Sequence, residues 1–209
     1  MDYQSFDGHG VDVAVNRADD LDKKCLAFIA NNPNCTVLDL GSGAGGQSFR
    51  MAAAGASVAA IDQFDFAEEF EAYESDRLQF IVGDMRHLAD LLVNKKFDAT
   101  LCQRTIHYLR YEEAKTFLIA VRAKTADRLF ISVTGTGSLI GDVYPEKGVV
   151  VRERFGALTE LGKEMFSIQE PVCLYSQEEF VILLESAGWV VDECWVSAFG
   201  NIKAVCSKE

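Results

Sequence analysis

The sequence predicts an α/β fold with a doubly wound, mainly parallel sheet and helices on both faces. Three observations carry this reading. Short apolar runs alternate with helical stretches from Thr36 to Val133, the pattern of strands buried between two helical layers. The first run breaks into a glycine cluster, "VLDLGSGAGGQSF", as strand-to-helix turns that receive ligands do. One further helix then leads into two apolar runs spaced like an antiparallel hairpin.

The elements follow in order. "TVLDL" (Thr36–Leu40) is the first strand. A helix over Gln47–Ala54 follows, with Gly55 where a C-terminal glycine cap belongs. "SVAAI" (Ser57–Ile61) is the second strand, ending at Asp62, and "LQFIV" (Leu78–Val82) the third, ending at Gly83-Asp84. "FDATLCQ" (Phe97–Gln103) and "RLFISV" (Arg128–Val133) are the fourth and fifth. Between them, Ala114, Phe117, Leu118 and Val121 fall on one face of a helix over Glu112–Lys124. Right-handed crossovers place every parallel strand's C-terminal end on one edge, where ligands bind. Regular structure resumes at "SQEE", a capping box of Ser176 and Glu179. It opens a helix running to about Ala187, stopped by Gly188, before the hairpin "WVVDECWVS…NIKAVCS".

The chain has 209 residues, 49% of them hydrophobic, which predicts one domain over 1–209. Residues 1–33 read as an N-terminal helical segment, and 134–175 as a lid-like insertion over a substrate site. A net charge of −12 disfavours nucleic acid as a partner. The six cysteines and three histidines are scattered, so no metal is expected. With no long apolar stretch and an acidic start, the reading is a cytoplasmic protein with no membrane partner, monomeric or homodimeric.

The glycine cluster satisfies two patterns. Gly41, Gly43 and Gly46 make GxGxxG, and Gly41, Gly43 and Gly45 make GxGxG. Asp62 lies at the reach from which an acid accepts ribose hydroxyls, a feature shared by both kinds of cofactor. Asp39 before the glycines would repel a pyrophosphate. Asp84 in "VGDM" suits an adenine amine, with Met85 beside the ring.

This ordered set, "VLDLGSGAGG", the acid after "AI", "VGDM" and "FDATLCQ", resembles the class I S-adenosylmethionine-dependent methyltransferases over roughly residues 34–133. "CQRTIHYL", "RERFGAL" and "VCLYSQEEF" look like bacterial members acting on small molecules. The resemblance implies a Rossmann-like seven-stranded sheet of order 3-2-1-4-5-7-6 with strand 7 antiparallel. S-adenosylmethionine is then the cofactor and a small-molecule acceptor the partner. Cofactor contacts are expected from Asp39, Gly41, Ser42, Gly43, Asp62, Gln63, Asp84 and Met85, with Cys102 and Gln103 on the methionine side.

Other expectations come from the residues. His107 and Tyr108 follow the fourth strand on the ligand edge and are the candidate catalytic pair. Cys102-Gln103 lacks the preceding proline of cytosine-C5 methylating enzymes, so Cys102 reads as a buried or cofactor-lining thiol. Tyr144, Arg152 and Arg154 are the candidate substrate contacts, an arginine there suiting an acceptor carboxylate, with Phe155 and Tyr175 as further aromatic walls. Arg17, with Tyr3 and Phe6, is expected to close the site from the N-terminal side, Arg17 facing the donor's carboxylate. The readings set beside methyl transfer are a protein methyltransferase, a non-catalytic cofactor-binding module and a nicotinamide-dependent oxidoreductase.

Overall fold

A computed structural model describes residues 18–208 of the chain. Its core is a seven-stranded sheet of order β3-β2-β1-β4-β5-β7-β6. The strands are β1 (Thr36–Leu40), β2 (Ser57–Asp62), β3 (Leu78–Val82), β4 (Phe97–Gln103), β5 (Thr125–Thr134), β6 (Val190–Val196) and β7 (Asn201–Ser207). The first five pair in parallel, and β7 runs antiparallel to both β5 and β6. Winding reverses between β1 and β4, so the ends of these neighbours form the topological switch point, where open α/β sheets receive ligands.

Helices cover both faces. On one side lie α1 (Asp20–Asn31) and α2 (Gly46–Ala53), which bury Leu21, Cys25, Ile29 and Met51 against Val37, Ala99 and Leu101. On the other lie α5 (Tyr111–Lys124) and α8 (Gln177–Ser186). There Phe117, Leu118, Val121, Phe180 and Leu183 pack on Leu38, Cys102 and Ile131. Three short helices, α3 (Ala67–Ala72), α4 (Leu88–Leu91) and α6 (Leu139–Asp142), and α7 (Glu160–Phe166) complete the elements the site needs.

The helix boundaries have local causes. Asp19 and Asp22 close a capping box on α1, and Ser176 and Glu179 close the expected one on α8. Gly55 and Gly188 take positive φ just past α2 and α8, as C-terminal stops do. β5 starts earlier than the sequence suggested, at Thr125 rather than Arg128. Its polar opening is a real strand because the Thr125 hydroxyl is buried, donating to the Val121 carbonyl and meeting the Thr100 hydroxyl at 2.6 Å. No helix among the described residues is long and apolar enough to cross a membrane.

Segment 135–175 joins β5 to α8 and carries α6, a 3₁₀ turn at Pro145–Gly148, and α7. It has a small core of its own, Tyr144, Leu158, Ile168, Val172 and Leu174, against which Tyr108, Ile140 and Phe166 pack. The Cys173 amide donates to the His107 carbonyl at 2.7 Å and the Thr136 amide to the Tyr175 carbonyl at 2.8 Å. The first ties the segment to the turn after β4, and the second ties its two ends to each other.

Candidate active site

A cleft of about 1200 Å³ opens above the C-terminal ends of β1, β2 and β4. Single-ligand pockets span roughly 300–1,000 Å³, so this one has room for two ligands side by side.

At one end the wall is the β1–α2 turn. Gly41, Gly43 and Gly45 have φ of +70°, +53° and +83°, a region that disfavours any Cβ. Gly46 is simply the first residue of α2. The backbone therefore selects GxGxG over GxGxxG. Gly41 is doubly constrained, since a Cβ there would sit 2.2 Å from the Thr105 hydroxyl oxygen. The Gly41 amide donates to the Ile61 carbonyl at 2.9 Å, and the Gly43 amide to the Asp62 carboxylate at 2.8 Å. Asp62 also accepts from the Phe64 amide at 3.1 Å. The acid ending β2 thus holds the loop as well as facing the cleft. Asp39, buried, accepts from the Ser48 hydroxyl at 2.6 Å, which ties the strand to the start of α2.

Asp84 and Met85 lie on the same wall. Arg86 donates to the Asp84 carboxylate through Nε at 2.8 Å, and this pairing holds the Asp84 carboxyl below its ordinary value. The Asp84 carboxylate also accepts from the Arg86 amide at 2.9 Å and from Arg86 Nη2 at 2.5 Å, so an amine reaching it shares these oxygens with Arg86. Gln47, directly after the glycines, lines the cleft, and its buried Nε2 has no acceptor among the described residues. That orphan donor, the side-chain-free backbone of the glycine turn and the Asp62 carboxylate fit a ligand with ribose hydroxyls and an amino-acid carboxylate.

Where β4 meets α1 lies a charged cluster. Gln103 donates to Asp22, and Lys203 of β7 is paired with Asp19 and Asp20. Burial, then the neighbouring Asp19, pushes the Asp22 carboxyl up to about 7.

The opposite end is apolar. Tyr108, Ile140, Phe155, Phe166 and Ile168 line it, with the β6–β7 turn at Ala198 and Phe199. His107 is buried and also borders the cleft, its ring 4.3 Å from that of Tyr108. Burial raises the Tyr108 phenol far above its ordinary value, with Arg104 pulling the other way. Tyr108 therefore acts as a hydrogen-bond donor at neutral pH.

Asp39, Gly41, Ser42, Gly43, Asp62, Gln63, Asp84, Met85, Gln103, His107 and Tyr108 all border this one cleft. Five expected residues do not. Cys102 is fully buried in the α5-side core because side chains alternate along a strand, so Leu101 and Gln103 take the cleft side. Desolvation raises its thiol well above the ordinary range, which fits a core residue rather than a cofactor contact. Tyr144 is buried in the insertion's own core and donates to the Val172 carbonyl at 2.6 Å. Arg154 is buried and grips Glu179 with two bonds of 2.7 and 2.9 Å, while also donating to the Val149 and Leu174 carbonyls. Arg152 lies outside, exposed, bonded to Glu112 at 2.8 Å and lying over the Tyr111 ring. The three substrate candidates hold the insertion together instead of facing a ligand. Tyr175 is likewise core, whereas Phe155 does line the cleft. Arg17, Tyr3 and Phe6 lie outside the described residues.

The sequence reading missed Gln47, Arg104, Thr105 and Lys203. Gln47 and Thr105 had a local signal, standing beside the glycines and the fourth strand. Lys203 had none, because only the antiparallel placement of β7 brings it to the cleft.

Sequence comparison matches the family described as "Methyltransferase domain" to residues 31–153. No curated protein matches the chain by sequence. Similar solved structures share the fold. One is the 1,6-didemethyltoxoflavin-N1-methyltransferase of Burkholderia thailandensis, crystallised with 1,6-didemethyltoxoflavin and S-adenosylhomocysteine. It has a TM-score of 0.68 and 18% identity over 94% of this chain and 81% of that one. The magnesium protoporphyrin IX methyltransferase of Synechocystis PCC 6803, with bound S-adenosylhomocysteine, has a TM-score of 0.66 and 16% identity over 90% and 82%. An S-adenosylmethionine-dependent methyltransferase from Clostridium acetobutylicum has a TM-score of 0.64 and 14% identity over 89% and 88%. With the family matched over more than half its length, the chain belongs to the methyltransferase domain family, and S-adenosylmethionine is its methyl donor.

Proposed function

We propose that the protein transfers a methyl group from S-adenosylmethionine to an O, N or S atom of a small-molecule acceptor. The carrying observation is one continuous cleft, where a glycine-and-carboxylate end runs into an apolar end lined in part by segment 135–175. The solved structures named as methyltransferases of 1,6-didemethyltoxoflavin and of magnesium protoporphyrin IX support a small acceptor.

Under this reading Asp62 accepts the ribose hydroxyls. Asp84 and Met85 receive the adenine, and Gly41, Ser42 and Gly43 bring backbone close to the donor. Gln63 flanks the ribose, while Gln47, Asp39 and Gln103 surround the amino-acid end. The donor supplies an already activated methyl group, so the protein has no nucleophile to build. Its task is to align the acceptor and exclude water, which can contribute roughly 7–11 kcal/mol. The insertion acts as the lid that does the excluding. His107 takes a proton from the acceptor atom, and Tyr108 donates a hydrogen bond that orients it. Six free cysteines and the net acidity support a cytoplasmic setting.

The nicotinamide reading is weakened by Gly45, whose left-handed backbone the GxGxxG pattern does not call for. The test is transfer of labelled methyl from S-adenosylmethionine to a panel of phenols, amines and thiols. Transfer that collapses in His107→Ala and Tyr108→Phe proteins with intact donor affinity is the expected result. Donor binding without transfer to any acceptor would favour a non-catalytic module.

A further inference from the structure

Arg104 follows Gln103 at the end of β4, half-buried on the cleft wall. The cleft's other cations are engaged: Arg86 by Asp84, and Lys203 by Asp19 and Asp20. Among the described residues no group accepts a hydrogen bond from the Arg104 guanidinium. Its backbone sits at φ +50°, a conformation that a residue with a side chain holds only under constraint. Two bonds from its amide impose it, to the Ser132 carbonyl at 2.9 Å and the Ser132 hydroxyl at 3.2 Å. A strained arginine with its charge kept open on a ligand-sized cleft is the mark of a binding residue.

Its neighbour locates the ligand. Arg104 acts electrostatically on Tyr108, and Tyr108 packs on the insertion's core. That is the apolar end, whereas the orphan Gln47 donor stands at the opposite, amino-acid end. We propose that Arg104 receives a carboxylate of the acceptor, whose apolar body lies along Tyr108, Ile140, Phe155, Phe166 and Ile168. This rests on the methyltransferase reading above. A planar guanidinium engages a carboxylate through two parallel bonds, and the protonated Tyr108 phenol stands beside it as a further donor. The surroundings select a monoanion: Glu170 also borders the cleft, whose lining is rich in acids, so a doubly charged phosphate is disfavoured with one open arginine among the described residues.

The probe pair is cinnamate and cinnamamide, titrated into protein saturated with S-adenosylhomocysteine. Wild type is expected to bind the acid about tenfold or more tightly than the amide. Arg104→Gly, which suits the left-handed backbone, should erase that preference and leave S-adenosylhomocysteine affinity unchanged. Arg104→Lys should keep part of it. Equal binding of the two probes, no binding of cinnamate, or a preference that survives Arg104→Gly overturns the proposal. Weakened S-adenosylhomocysteine binding in Arg104→Gly also overturns it, by placing the guanidinium on the donor. If wild type does not bind S-adenosylhomocysteine at all, the methyltransferase reading falls first, an outcome distinct from these.

Discussion

The two ends of the cleft are built from different materials. The glycine end is made of backbone, with Gly41, Gly43 and Gly45 at positive φ and amides fixed on Ile61 and Asp62. The apolar end is made of side chains, most of them on a segment braced internally by Tyr144 on Val172 and against α8 by Arg154 on Glu179. A backbone-built site tolerates almost no substitution, and the same site serves any member that uses the same donor. A side-chain-built site is re-cut by changing a few residues, so it is where acceptor choice resides. Loops borne on a rigid scaffold carry specificity in this way.

The comparison can be broken first at its strongest joint. Arg154→Met leaves Glu179 without its partner, and the buried Leu174 carbonyl and the part-buried Val149 carbonyl without this donor. Loss of one partner of a buried pair costs about 3–5 kcal/mol, and the part-exposed Glu179 places this case near 3 kcal/mol. Thermal unfolding should drop by roughly 6–12 °C, with S-adenosylhomocysteine affinity nearly unchanged. A large loss of that affinity would show that the two ends are not separate structures.

Gly41→Ala should act in the opposite sense. It forces a Cβ onto Thr105 and adds about 1–2 kcal/mol of left-handed strain. Donor affinity should fall about 100-fold or more by calorimetry, and wild-type affinity would refute a backbone-built site. Asp62→Ala removes one charged acceptor, typically about 1.5–3 kcal/mol. Roughly a ten- to 100-fold loss is expected, with the smaller value favouring a role mainly in holding the loop.

The smallest effect concerns pH. Asp22 binds its proton more tightly folded than unfolded, so its contribution to stability is present at low pH. It is lost as pH rises from the ordinary carboxylate range through about 7. Asp84 and Glu179, both lowered in the fold, have the reverse sign and lose their contributions below that range. Thermal melts of Asp22→Asn should therefore vary less than wild type between about pH 5 and about pH 8, by about 1 kcal/mol. A wild-type slope retained in the variant would remove Asp22 as its source.

The same contrast explains what the sequence made legible. β1, β3 and β4 were read to the residue, β1 and β4 because buried parallel strands are near-continuous apolar runs that polar turns interrupt. The acids Asp62 and Asp84 were legible as cleft residues because each closes an apolar strand run at the ligand edge, and both border the cleft. Arg152, Arg154 and Tyr144 were misread because charge and aromaticity in an aperiodic segment do not reveal what they face. Arg154 finds Glu179, 25 positions away, only after α8 has docked. Cys102 was misread by one register step, since the end of a strand gives neighbouring residues opposite faces.

The central claim is that the glycine end holds S-adenosylmethionine through backbone and Asp62. Calorimetric titration of the full chain with S-adenosylhomocysteine tests it most directly. The account predicts one molecule bound per chain, at least about tenfold more weakly in Asp62→Ala and unchanged in Arg154→Met. No binding to wild type, or affinity untouched by Asp62→Ala and Gly41→Ala alike, would contradict it.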